Sequence, residues 1–409
     1  MIHLRGLGAW LLLAGVATAQ DPPGFHAQAR ALAPQIEKDV KAGFARARER
    51  TDEIIARLPK SVRDSMGKSF RKLTGPDPTG FSVHVAKPFL VLVERDPSWD
   101  EALVASQTIL APLSGLEDLL QSRYPGLPSR PAAVRPLSVV MLRSRDAYRQ
   151  YVFGRLGHTT VTQLAHTEPD QRRLIVHRDT KLKTIVHEGT HLLLEAWRSV
   201  RPEHHARPLW FEEGFADWIG GCTWRVSNNR KQLDVARVRP ELVTAFSGPL
   251  FQANYLTLKQ VLDATIATRD GWFSETDGSR RVQLAYAQGW ALVHFLHWFD
   301  VDDAGFAKLP KPGSLPMGRH LPGFRRYLAL QMQGRDGHAW GSRVAFQAAM
   351  GLDDAGLARM SQDYVSWLRF LSRKVAQKAV RDGQIVPWNA HTDARGEVAG
   401  EPEDDRLRE

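Results

Sequence analysis

The segment Thr184-Ile185-Val186-His187-Glu188-Gly189-Thr190-His191-Leu192-Leu193-Leu194 constrains this chain more than any other. Two histidines four residues apart share one face of a helix, so the spacing predicts a helix over 181–198 with both imidazoles on the same side. Two such imidazoles can hold one metal ion. Zinc is the usual match to imidazole donors with a coordination position left open. Glu188 stands between them, where a carboxylate can take a proton from water on the ion. Apolar flanks and a predicted strand just upstream, Leu174–His177, place this polar trio inside a folded layer.

Two histidines do not complete a catalytic zinc site, which takes three protein ligands. Pro208 to Trp218 begins a second helix, in which Glu212 and Glu213 stand among Trp210, Phe211, Phe215 and Trp218. Carboxylates are rarely buried without a partner, and a metal would be such a partner. Twenty-one residues intervene between His191 and Glu213, enough for one helix to end and the next to return antiparallel. His204 and His205 lie in the polar stretch Arg201–Arg207 and read as surface. A third histidine six residues after His191 is excluded, because that position is Trp197.

His187-Glu188-x-x-His191 followed by Trp210-x-x-Glu213-Gly214-Phe215-Ala216 resembles the gluzincin metallopeptidases, the thermolysin and aminopeptidase-N-like clan. The resemblance implies a zincin-like fold and makes the carboxylate before the glycine, Glu213, the third zinc ligand. It also implies that Asp217, one turn further on, orients the first histidine; the alternative is an exposed helix acid. Tyr286-Ala287-Gln288-Gly289 is similar to the Tyr-x-x-Gly helix start of aminopeptidase-N-like enzymes, which implies that Tyr286 supports the oxyanion. The chemistry calls for such a donor, because attack by activated water creates negative charge on oxygen. The alternative is a core tyrosine. His294 and His297 read as packing or surface histidines. From about residue 80 to 370 the order of elements resembles exported bacterial peptidase-MA-like proteins. The Gly-x-Met-Glu-Asn motif with which aminopeptidases hold a free N-terminus is absent from the sequence.

Around these motifs the chain divides by composition. Residues 1–19 read as a secretory signal, with Arg5, an apolar run from Leu7 to Ala17 and small residues before Gln20. That run is too short for a membrane span, which needs about 20 residues. Cleavage would leave an exported, periplasmic or extracellular protein without a stable membrane anchor. Residues 20–78 are charged and helical, with Leu32, Ile36, Val40, Phe44, Ala47, Thr51, Ile54 and Leu58 at steps of three or four. A second short basic helix is expected over 62–73. This region is either a helix packed on the domain or a partner-binding arm. Residues 79–220 alternate strands and helices as an α/β subdomain with the zinc site. Residues 221–388 read as almost wholly helical, and 389–409 as a disordered acidic tail. The fold class expected is α+β, zincin-like, with a small mixed sheet, the zinc helix and a mainly helical C-terminal part.

The 409 residues carry 55 Lys+Arg against 45 Asp+Glu. Removing Arg5 with the leader leaves 54 − 45 = +9, a surface that would favour anionic envelope partners. No zinc-finger spacing or RNA-binding aromatic motif points to nucleic acid. The only cysteine, Cys222, excludes a disulfide framework or a Cys-based zinc cluster within one chain. The expectation is an exported hydrolase using Zn2+ on peptide or protein substrates. Its rival is a catalytically silent zincin-fold binding or scaffold protein of the envelope. Glu188 favours the enzyme, since a structural site has no need of it.

Overall fold

The computed structural model describes residues 24–57, 76–125, 127, 136–156, 165–198, 206–227, 230–234, 238–247, 255–272, 278–299, 318–333 and 343–381. The expected leader, the basic helix at 62–73, His204, His205 and the acidic tail lie outside the described residues. The architecture is α+β: one small mixed sheet with its helices, followed by a mainly helical region. The chain packs as two compact units. The first takes the described residues up to Arg198 together with 222–234 and 331–333, and the second takes the rest.

In the first unit a long helix α1 (Phe25–Arg57) precedes the hairpin β1 (Phe81–Ala86) and β2 (Phe89–Glu94). Helix α2 follows in three joined parts: Glu101–Val104, a wider π-type turn Ala105–Leu110, and Ala111–Arg123. Asp100 caps its start by accepting from the Leu103 amide at 3.0 Å. Then come β3 (Leu137–Leu142), α3 (Arg145–Leu156), β4 (His166–Glu168), β5 (Arg173–His177) and α4 (Leu182–Trp197). The sheet order is β1-β2-β3-β5-β4. β2, β3 and β5 run parallel, with register Val91↔Val139 and Val139↔Leu174, and the edges β1 and β4 are antiparallel. The three central strands are buried at every position. This explains their unbroken apolar runs, since parallel strands are covered on both faces.

Helix α1 is part of this core. Ala29, Ala33, Ile36, Val40 and Phe44 pack with Leu90, Leu92, Val140, Leu142, Tyr148, Tyr151 and Ile175. The three-and-four spacing of the sequence therefore marks a face that meets the sheet and α3. The crossing is tight: a Cβ added to Gly154 of α3 would lie 1.9 Å from the carbonyl oxygen of Gly43 in α1. Beside it runs a buried polar chain. Arg173, only 2% exposed, reaches Asp39 of α1 at 3.2 Å and Glu168 of β4 at 3.5 Å. Glu168 accepts from the Tyr151 hydroxyl at 2.9 Å and from Arg155 at 3.1 Å. Buried charges persist when they are paired in this way.

The expectation of an almost wholly helical C-terminal part needs two corrections. Residues Thr223–Ser227 (β6) and Arg230–Asp234 (β7) form an antiparallel hairpin. Five-residue strands leave too little alternation to register as a period, although Asn228-Asn229 are turn formers. Within the part read as almost wholly helical, residues 257–268 do not form one continuous helix but parts of two. The first ends at Asp263, Ala264 is extended, and Thr265 pairs with Pro208 as an isolated β-bridge.

The second unit contains α5 (Leu209–Gly220), α6 (Pro240–Ser247), α7 (Leu258–Asp263), α8 (Ile266–Trp272), α9 (Gly278–Trp298), α10 (Leu321–Gln333, whose last residues fall to the first unit), α11 (Arg343–Met350) and α12 (Asp354–Arg381). Helix α9 is the axis, packed by α5, α6, α8 and α12. Aromatic side chains fill the space between: Trp210 meets Tyr327 and Phe346, and Phe215 stacks on Trp218. Among the described residues no helix is long and apolar enough to cross a membrane.

The two helix-α9 histidines are packing residues. His297 stacks on Trp218 at 4.0 Å. His294 is fully buried between Trp290 and Trp367, and burial holds its imidazole down at about 3. The unfolded chain would protonate it near 6.5. Between about pH 6.5 and 3 the unfolded state therefore binds the extra proton, and stability falls as pH falls through that window. His294→Phe is expected to flatten the acid limb of a denaturant-midpoint against pH curve, where the slope from one such group reaches about 1.4 kcal/mol per pH unit. An unchanged limb would show that His294 does not control it.

Candidate metal and catalytic centre

Helix α4 carries His187, Glu188 and His191. Its inner face is apolar through Ile185, Val186, Leu192, Leu193 and Leu194, all buried. Gly189 permits close packing there, because a Cβ on it would lie 2.3 Å from the Leu113 side chain of α2. His187, Glu188 and His191 are half-buried on the remaining side. The rings of His187 and His191 meet edge to face, with centroids 5.0 Å apart, and their Nε2 atoms stand 3.4 Å from one another. Both imidazoles thus present the same nitrogen to one point. Glu188 is fixed from the sheet: the Thr167 hydroxyl of edge strand β4 donates to its Oε2 at 2.7 Å. Its charge is also felt by Tyr148, whose buried phenol is pushed far above its usual range by desolvation first and by Glu188 second.

Helix α5 carries the acids, and the two adjacent carboxylates diverge. Glu212 is buried with Arg207 4.0 Å away. Glu213 turns to the other side, where Arg269 of α8 donates to its Oε1 at 3.2 Å. The same Arg269 nitrogen donates to the Tyr286 hydroxyl at 3.2 Å, and Tyr286 also hydrogen-bonds Glu213. Burial, then the Glu213 charge, pushes the Tyr286 phenol well above its usual range, so it keeps its proton at neutral pH. Burial opposes the charge of Arg269, but Tyr286 and Glu213 outweigh it and push the guanidinium upward.

Two glycines bring Glu213 and Tyr286 together. A Cβ on Gly214 would lie 2.4 Å from the carbonyl carbon of Gly289, and one on Gly289 would lie 3.0 Å from the Trp210 Cα. Helices α5 and α9 therefore cross backbone to backbone, one residue from Glu213 and one turn from Tyr286. Tyr286 stands mid-helix rather than at the helix start that its motif suggested, because α9 begins at Gly278. Asp217 is half-buried, and its Oδ1 accepts from Arg239 at 2.9 Å.

Thr167, Arg239 and Arg269 were not singled out in the sequence. Thr167 lies on a strand of three residues, too short for any periodic signal. The two arginines act from loops and short helices whose approach to α5 is a matter of tertiary structure.

Residues 181–308 match a family model described as "Protein of unknown function (DUF1570)". The matched segment contains every residue of the centre except Thr167 and Tyr148. No curated protein matches the chain.

Proposed function

We propose that the chain is an exported, zinc-dependent hydrolase of the gluzincin type that cleaves peptide bonds. The observation that carries this reading is the 3.4 Å between the Nε2 atoms of His187 and His191. Two nitrogens bound tetrahedrally to one zinc at about 2.0–2.1 Å stand about 3.3–3.4 Å apart. Glu213 is the third donor in this reading, as the likeness of Trp210-x-x-Glu213-Gly214 to the gluzincin pattern implies. Two imidazoles and a carboxylate form a donor set that suits zinc with one position open.

Zinc, when bound, would polarise the scissile carbonyl and acidify water. Glu188, held by Thr167, takes the proton of the attacking water and passes it to the leaving amine. Tyr286, protonated at neutral pH, donates to the oxygen on which charge develops. The presence of a base beside the two imidazoles supports the enzyme over the silent binding protein. The leader-like composition of residues 1–19 supports export, and the basic balance of charge is compatible with an anionic envelope partner.

Metal analysis of the purified chain tests the reading. One zinc per chain is expected, removable by chelators. Glu213→Ala should weaken zinc binding by more than the roughly 10–100-fold typical of residues that only support a ligand. Wild-type affinity in Glu213→Ala would remove Glu213 from the ligand set. A zinc-loaded wild type that cleaves nothing in a broad peptide library would turn the conclusion to the silent scaffold.

A further inference from the structure

We propose that Arg269 is a positioning residue that clamps Glu213 and Tyr286 in one arrangement, setting the carboxylate for the metal and the phenol for the substrate oxygen. The proposal rests on the metal reading above. One guanidinium nitrogen serves both partners, at 3.2 Å to Glu213 Oε1 and 3.2 Å to the Tyr286 hydroxyl. The opposite edge is tied to Asp270 Oδ1, by Nε at 3.0 Å and by the other terminal nitrogen at 2.9 Å. The guanidinium plane is thereby fixed at both edges. Lysine could not reproduce this, being a point charge on a flexible stem.

The backbone beneath Arg269 is fixed as firmly. Helix α8 starts from the Pro208↔Thr265 bridge, with the Leu209 amide donating to the Ala264 carbonyl at 2.9 Å and the Ile266 amide to the Arg207 carbonyl at 3.0 Å. The start of α5 and the start of α8 are thus one short ladder, and Arg269 reaches back along it to the second turn of α5. The hydrogen bond from Arg269 to the phenol oxygen draws electron density from that oxygen and makes Tyr286 the stronger donor.

The test uses the full-length chain and zinc itself, with affinity measured by competition against a chromophoric chelator. Thermal midpoints of the metal-free proteins serve as the control for folding. Arg269→Met and Arg269→Lys are both expected to bind zinc about 10–100-fold more weakly than wild type, with midpoints close to the wild-type value. Tyr286→Phe in the Arg269→Met background should add less to the loss than it does alone, because the clamp is already open. Wild-type affinity in both arginine variants would overturn the proposal, and so would full affinity in Arg269→Lys alone, which would reduce Arg269 to a charge. If Arg269→Met does not fold, Arg269→Lys decides. A wild type that binds no zinc overturns the metal reading instead, and the clamp with it. Zinc binding by wild type that is lost in Glu213→Ala but untouched in the arginine variants overturns the clamp only.

Discussion

Under the proposed zinc-hydrolase reading, Glu188→Gln is expected to keep zinc and fold while losing about 10²–10⁴-fold in hydrolytic rate, the usual worth of a positioned general base. Glutamine has the shape of glutamate, and its amide oxygen can still accept from the Thr167 hydroxyl, which lies 2.7 Å from Glu188 Oε2. What it lacks is the capacity to take a proton. The proposed ligands His187 and His191 are untouched by the change. Zinc content measured beside the rate on a cleaved peptide separates the two effects. A variant with full zinc and full rate would show that Glu188 does not act in the reaction. A variant that lost its zinc would make Glu188 a support of the site instead.

Gly214→Ala is expected to be the most damaging single-methyl change at the centre. The added Cβ would lie 2.4 Å from the Gly289 carbonyl carbon and 2.8 Å from the Trp290 amide nitrogen. These are backbone atoms that cannot rotate away, so α5 and α9 must move apart. Overpacking of this kind costs about 1–3 kcal/mol, occasionally more, and a denaturant midpoint reads it directly. The separation would also draw Tyr286 away from Glu213, so zinc affinity should fall in the same variant. Gly271→Ala provides the contrast, since nothing lies within 4 Å of the Cβ it would add. Equal midpoints for the two variants would mean that α5 and α9 do not cross as closely as described.

The parts of this protein that were readable beforehand are those where one element carries its own signal. The H-E-x-x-H spacing placed two imidazoles on one face of α4 because helical geometry alone decides it. Unbroken apolar runs announced β2, β3 and β5 because strands covered on both faces have no polar side to show. The stripe from Ile36 to Thr51 announced the buried face of α1. What stayed hidden depends on pairs of elements distant in sequence. Thr167 reaches Glu188 only because β4 lies at the sheet edge beside α4. Arg269 reaches Glu213 across 56 positions by way of a two-residue bridge. The choice between Glu212 and Glu213 came from family likeness. In the structure the two carboxylates point in different directions, one toward Arg207 and the other toward Arg269 and Tyr286.

Helix α1 has a consequence for the order in which this chain can fold. It is the first described element, yet its ion-pair partner Arg173 lies 134 residues later, and the Phe153 carbonyl that accepts from Arg50 lies 103 residues later. β1 and β2 cover part of its apolar face with Phe81, Leu90 and Leu92, but the rest of that core, Val140, Leu142, Tyr148, Tyr151 and Ile175, comes from β3, α3 and β5, for which α1 must wait. Contacts of such separation slow folding, because the loop entropy is lost before the contacts repay it. During that interval Ile36, Val40 and Phe44 stand open to solvent on a free amphipathic helix.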